Sequence, residues 1–162
     1  MSLCPTTIKA QCYTTLVRPP LEYASSIWSP SKKDNINKVE AVQRRAARSA
    51  TGDYQRTSSV TATLQQLHWQ TLQSRRAYAQ TVMMYRIVYD LVDIPAEHHL
   101  NRTSLRTRGH SLRFLVPHTR TTVYRTLFFP QAIHLCNQLP GSVVETNTLE
   151  SFKIQLSRAT II

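Results

Sequence analysis

The sequence predicts a mainly α protein, a bundle of five or six helices with a small β-hairpin near residues 112–126. Three observations predict it. Apolar residues recur at helical spacing through the first 95 positions and again after Pro130. Glycine is scarce, at three residues, so few positions are built for open turns. Short β-branched or alternating runs occur together only at 112–116 and 121–126, separated by Pro117-His118-Thr119. With 162 residues and 41% apolar content the chain has room for one domain, or one domain with an appendage. We place the division at 95/96, giving a helical region over 1–95 and a basic extension over 96–162 that holds the hairpin and two short helices.

Residues 5–27 read as a helix with a disturbed middle. Ile8, Cys12, Thr15 and Leu16 share a face, and Pro19-Pro20 must kink or break it, because each proline lacks an N–H and its ring meets a carbonyl of the preceding turn. Ser29-Pro30 ends the segment. Ser31 or Asp34 then caps a helix over about 34–49, with Ile36, Val39, Val42 and Ala46 as its apolar stripe. Lys38, Arg44, Arg45 and Arg48 lie largely off that stripe. Thr51-Gly52-Asp53 stops the helix. Ser58-Ser59 cap a short helix in which Val60, Leu64 and Leu67 are core positions. A longer helix follows over about 69–92, with Trp69, Leu72, Ala79, Met83, Ile87 and Leu91 along one side and Arg75, Arg76 and Arg86 beside them. Met83 and Met84 read as core filling. Residues 98–109 form an exposed loop ahead of the hairpin. Pro130 opens a helix that Pro140-Gly141 closes, and Asn147 or Thr148 caps a last helix that turns Leu149, Phe152 and Leu156 inward.

Charge is the outlying property. Twenty Lys+Arg against nine Asp+Glu leave +11 at neutral pH, which selects a polyanionic partner, nucleic acid ahead of an anionic membrane. Residues 98–144 contain no Asp or Glu, yet hold Arg102, Arg106, Arg108, Arg113, Arg120 and Arg125 and five of the six histidines. Phe114, Tyr124, Phe128 and Phe129 are interleaved there. Cations track phosphates and exposed aromatics stack on bases, although Phe128-Phe129 beside Pro130 read first as core. The three cysteines form no C-x-x-C pair and suit free thiols in a reducing compartment, cytoplasm or nucleus. No signal peptide or membrane-length apolar run is present.

The chemistry that is missing narrows the function. Asp34, Asp53, Asp90 and Asp93 are the only aspartates, and none pairs with another acid in a setting that holds two Mg²⁺ ions. Three glycines cannot build a phosphate-cradling loop. No His/Cys spacing nominates a metal site, and adjacent His98 and His99 diverge in any regular element. We therefore expect no cofactor, no metal and no catalytic residue.

Taken in order, LVRPPLEYASSIWSP (16–30), VEAVQRRAAR (39–48), DYQRTSSVTATLQQLHWQTLQSRR (53–76), TRGHSLRF (107–114), LFFPQAIHLCNQLP (127–140) and LESFKIQL (149–156) resemble the segment that follows the polymerase core in non-LTR (LINE-type) retrotransposon reverse transcriptases. The likeness covers nearly the whole chain in the same order. It implies a thumb-like region, with residues 5–48 as helices lying along a primer–template duplex, followed by a C-terminal extension. It also implies a truncated polymerase piece without the palm, whose paired aspartates do the polymer chemistry. Two positions depart from the pattern: Cys136 stands where such sequences commonly carry Trp, which predicts a packing gap, and Gln131 where they often carry Arg. The expected function is non-catalytic binding of RNA, DNA or their hybrid. Lys38, Arg44, Arg45, Arg48, Arg75 and Arg76 are the expected phosphate contacts, and Arg106, Arg108 and Arg113 a second patch. The competing expectation is a structural or protein-interaction module, from a domesticated or decayed copy, that associates with itself or a protein partner through surface a palm would cover.

Overall fold

The structure, a computed structural model, describes residues 4–55, 57–103 and 112–159. It is mainly α, as the periodicity predicts. The chain divides into two compact units, one of Met1–Ser25 with Pro30–Arg75, the other of Ser26–Ser29 with Arg76–Ile162. The boundary expected at 95/96 falls inside the second unit. Pro95 does punctuate the chain, but the apolar positions of the preceding helix already pack with the C-terminal helices.

In the first unit, α1 (Thr6–Cys12) runs into a π turn (Tyr13–Val17) and then α2 (Arg18–Glu22). The proline pair therefore does not break the helix. In a regular helix the rings of Pro19 and Pro20 would meet the carbonyls of Thr15 and Leu16. The π turn, closed by the Arg18 N–H on the Tyr13 carbonyl, lies just ahead of the rings, and the prolines take first-turn positions where no N–H is needed. Thr14 and Thr15 hydroxyls donate to the Gln11 carbonyl at 3.0 and 2.8 Å, a second alternative to the regular ladder. The segment ends one turn later, where Ala24 adopts a positive φ of 50°.

α3 (Lys33–Thr51) begins after Lys32, with no side-chain cap from Ser31 or Asp34, and ends on Gly52 in the left-handed region. Its fully buried positions are Gln43, Ala47 and Ala50, while Ile36, Val39, Val42 and Ala46 are half-buried. The stripe is thus rotated from the sequence expectation, because small alanines let α1 and α4 (Val60–Gln66) pack close against α3. Ser59 caps α4 as expected, accepting the Ala62 N–H at 3.4 Å.

α5 (Leu72–Val88) starts at Thr71, whose hydroxyl accepts the Ser74 N–H at 3.1 Å. Only its first turn belongs to the first unit. In the second unit its buried positions serve two apolar clusters. Val82 and Tyr85 pack with Leu139, Val143, Phe152 and Leu156 from the region of α8 (Gly141–Val144) and α9 (Leu149–Arg158). Met84 packs with Phe114 and with Ala132, Ile133 and Cys136 of α7 (Phe128–Gln138). Truncating a fully buried Ile133 or Leu156 to alanine would cost about 2–5 kcal/mol.

The expected hairpin over 112–126 is corrected by the structure. Thr121 accepts the Tyr124 N–H at 3.2 Å and starts a helical turn, α6 (Thr122–Arg125), so the intended second strand does not exist. Among the described residues the first run pairs instead through an isolated antiparallel bridge between Arg102 and Phe114. Asn137 completes that pairing from α7. Its side-chain amide accepts the Phe114 N–H at 3.0 Å and donates to the Phe114 carbonyl at 2.8 Å, as a neighbouring strand would.

Candidate nucleic-acid interface

The first unit is positioned by a buried polar chain. Tyr13 donates its hydroxyl to Gln43 Oε1 at 3.1 Å, and Gln43 Nε2 donates to the Gln70 carbonyl at 2.8 Å. The Tyr13 ring lies 4.6 Å from that of Trp69. Burial pushes the Tyr13 phenol up to about 12, so it stays a neutral donor. These bonds satisfy the one large polar side chain buried on α3 and fix the rotation of that helix, and therefore what faces water.

On the outer side, Lys38 and Arg45 are exposed and seven residues apart, which puts them on one line about 10 Å long, opposite Gln43, Ala47 and Ala50. Arg44 and Arg48 flank them, both half-buried. Arg44 Nη2 donates to the Asn37 carbonyl at 3.0 Å, laying the guanidinium back along the helix. Lys9, which sequence reasoning did not select, donates to the Ser49 carbonyl at 3.3 Å and adds a cation at the C-terminal end of α3, where the macrodipole favours one. Its signal was available only as a lysine in the last turn of α1.

The acids of this unit are largely turned inward or committed. Glu40 accepts the Gln73 N–H at 2.8 Å and so helps cap α5. Glu22 accepts from Arg75 through both Nε and Nη2, the latter at 3.0 Å. The hydroxyl of Ser58 and the amide of Gln55 donate to Asp53, and together they hold its carboxyl below the ordinary value. Asp34 remains exposed in the first turn of α3.

The nine basic residues expected at the interface therefore separate. Lys38, Arg44, Arg45 and Arg48 come together on α3. Arg75 is held by Glu22, which raises its pKa further, so its guanidinium is spent on an internal ion pair. Arg76 is 3% exposed, with its guanidinium 5.3 Å from the centre of the Trp28 ring, and presents no surface to a phosphate. Arg113 is half-buried in the second unit. Arg106 and Arg108 lie outside the described residues. Burial of a cation could not be read from helical spacing alone, because Arg76 follows Arg75 on α5 and both stand beside the same apolar stripe.

Among the described residues no three His, Cys, Asp or Glu side chains converge as a metal site. His99 stacks on Phe129 at 4.2 Å, and Gln131 accepts from Gln80 at 3.2 Å. A cavity of about 30 Å³ borders Cys136, Met84, Tyr85, Leu112, Phe114 and Phe152, the place where a larger residue at 136 was expected. No helix among the described residues is long and apolar enough to cross a membrane. The chain matches no protein-family model, no curated protein and no solved structure.

Proposed function

We propose that this chain is a non-catalytic nucleic-acid-binding region, comparable to the thumb-like segment of non-LTR retrotransposon reverse transcriptases, which grips the backbone of RNA, DNA or an RNA–DNA hybrid inside the cell. The observation that carries the reading is the outer side of α3, where Lys38 and Arg45 are exposed in line, Arg44 and Arg48 flank them, and Glu40 is committed to capping α5. Phosphate contacts of this kind gain affinity by releasing counterions and carry no sequence information. The net charge of +11 and the ordered sequence likeness support the same reading.

The test is fluorescence anisotropy of a labelled RNA–DNA hybrid. The double variant Lys38→Glu/Arg45→Glu should weaken binding by about tenfold or more, since each lost phosphate contact removes a salt-dependent increment and each new acid repels. An unchanged affinity sinks the assignment to α3. Primer extension by the same preparation, with Mg²⁺ and nucleotides, should yield no product.

A second reading has its own observation. Leu16 and Tyr23 are 72% and 79% exposed on and just after the opening helix, more apolar surface than a solitary helix needs to show water. A stable oligomer indifferent to nucleic acid, seen by light scattering, would favour a protein-interaction module.

A further inference from the structure

We propose that residues 115–127 of the second unit are a docking surface for a short, acidic, amphipathic segment of a partner protein. Leu115, Val116, Val123 and Leu127 all present large aliphatic side chains to water, with Val123 73% exposed. Tyr124 is exposed among them. Exposed single apolar residues are ordinary, but four within thirteen consecutive positions concentrate apolar exposure in one short segment.

The patch is held in shape before any partner arrives. At one end the Asn137 amide grips the Phe114 backbone on both sides, and the Leu115 N–H donates to the Asn101 carbonyl at 2.8 Å. At the other end Thr121 caps α6, the Leu127 N–H donates to the Tyr124 carbonyl at 3.1 Å, and α7 begins at Phe128. A surface already fixed loses little conformational freedom on binding.

Charge identifies the occupant. His118, Arg120 and Arg125 are exposed within the same segment, and residues 98–144 contain no acid. A segment that exposes aliphatic side chains interspersed with cations is complementary to apolar anchors interspersed with Asp and Glu. A second copy presenting the same patch would bring like charges together. A nucleic-acid strand would use the arginines and Tyr124, but would leave the four aliphatic side chains without a partner. An anionic membrane suits a long amphipathic helix lying in its surface, and α6 is a single turn of four residues.

The experiment uses the full chain and a fluorescein-labelled peptide of about 15 residues, long enough to present anchors at i, i+3, i+4 and i+7. Leucines occupy the anchor positions and glutamates the rest; a scrambled peptide of the same composition is the control. The patterned peptide should bind about tenfold or more tightly than the scrambled one. Val123→Ser/Leu127→Ser and Arg120→Glu/Arg125→Glu should each remove most of that difference, and far-UV circular dichroism should show both variants folded, because all four positions are exposed. Lys38→Glu/Arg45→Glu should leave peptide binding unchanged, so this proposal and the duplex-binding reading fail separately. Equal binding of the two peptides overturns the proposal by reducing it to bulk charge. So does a patch whose two variants instead abolish binding of short single-stranded RNA or of anionic phospholipid vesicles, or one that drives self-association detected by light scattering.

Discussion

Tyr13, Cys136 and Arg76 show how burial changes what a side chain can do. The Tyr13 phenol is raised from its ordinary 10.0 to about 12, because burial disfavours the charged phenolate and keeps the neutral donor that bonds to Gln43. A group bound more tightly to its proton when folded contributes stability that is complete below the unfolded value and is lost as pH rises through the folded one. The first unit should therefore lose stability between about pH 10 and pH 12, and Tyr13→Phe should lose that dependence. The same variant should cost about 1–2 kcal/mol at neutral pH, since Gln43 Oε1 loses its donor in a buried site; chemical denaturation at several pH values measures both. Burial alone pushes the Cys136 thiol up to about 12, while Cys4 and Cys12 are exposed. A thiol-reactive dye at neutral pH should label those two rapidly and Cys136 only after unfolding. Rapid labelling of all three would contradict the packing of α7. Nothing in the spacing separates Arg76 from Arg75 as a phosphate contact; its burial, with the guanidinium 5.3 Å from the ring of Trp28, depends on residues distant in sequence.

Helix ends account for much of what was legible and much of what was missed. The caps at Ser59 and Thr148, the stop at Gly52, and the inward Phe152 and Leu156 follow directly from residue type and spacing. With three glycines in the chain, the left-handed region past helix ends is also taken by side-chain-bearing residues, by Ala24 after α2 and by two that close their helices with paired hydrogen bonds. His68 has φ 54°, with the Trp69 N–H on the Leu64 carbonyl at 2.8 Å and the His68 N–H on Gln65 at 3.0 Å. Asp90 repeats the pattern, with the Leu91 N–H on Arg86 at 2.8 Å and the Asp90 N–H on Ile87 at 3.3 Å. Both are the paired 6→1 and 5→2 closures usually completed by glycine. They explain why α5 ends at Val88 and leaves Leu91 exposed, where periodicity alone carried the helix to about 92. His68→Gly and Asp90→Gly should each raise stability by up to about 1 kcal/mol, read from the denaturation midpoint, as the left-handed strain is relieved. Destabilisation by either would show that the side chain contributes more than its backbone costs. The proline pair and residues 121–126 depart from what their residue types predict for related reasons. A π turn accommodates Pro19 and Pro20, and a threonine cap at Thr121 outweighs the β-branched character of 121–126.

At the scale of the molecule, the sequence makes the excess of positive charge plain but does not say which cations reach a ligand. Of the nine basic residues selected, the four on α3 gather on its outer side, because a buried Tyr13–Gln43–Gln70 chain fixes the rotation of that helix. Arg75 and Arg76 are drawn into internal contacts. That sorting depends on contacts between residues tens of positions apart, which helical periodicity does not carry. The fold class was legible because α3, α5, α7 and α9 each bury residues at helical spacing. The most direct test of the account is the salt dependence of hybrid-duplex binding. If Lys38, Arg44, Arg45 and Arg48 each neutralise a phosphate, the logarithm of the association constant should fall against the logarithm of salt concentration with a slope of about −3 to −4. In Lys38→Glu/Arg45→Glu the slope should become shallower by about 2. A slope near zero in the native protein, or the same slope in both proteins, would contradict a duplex grip on α3.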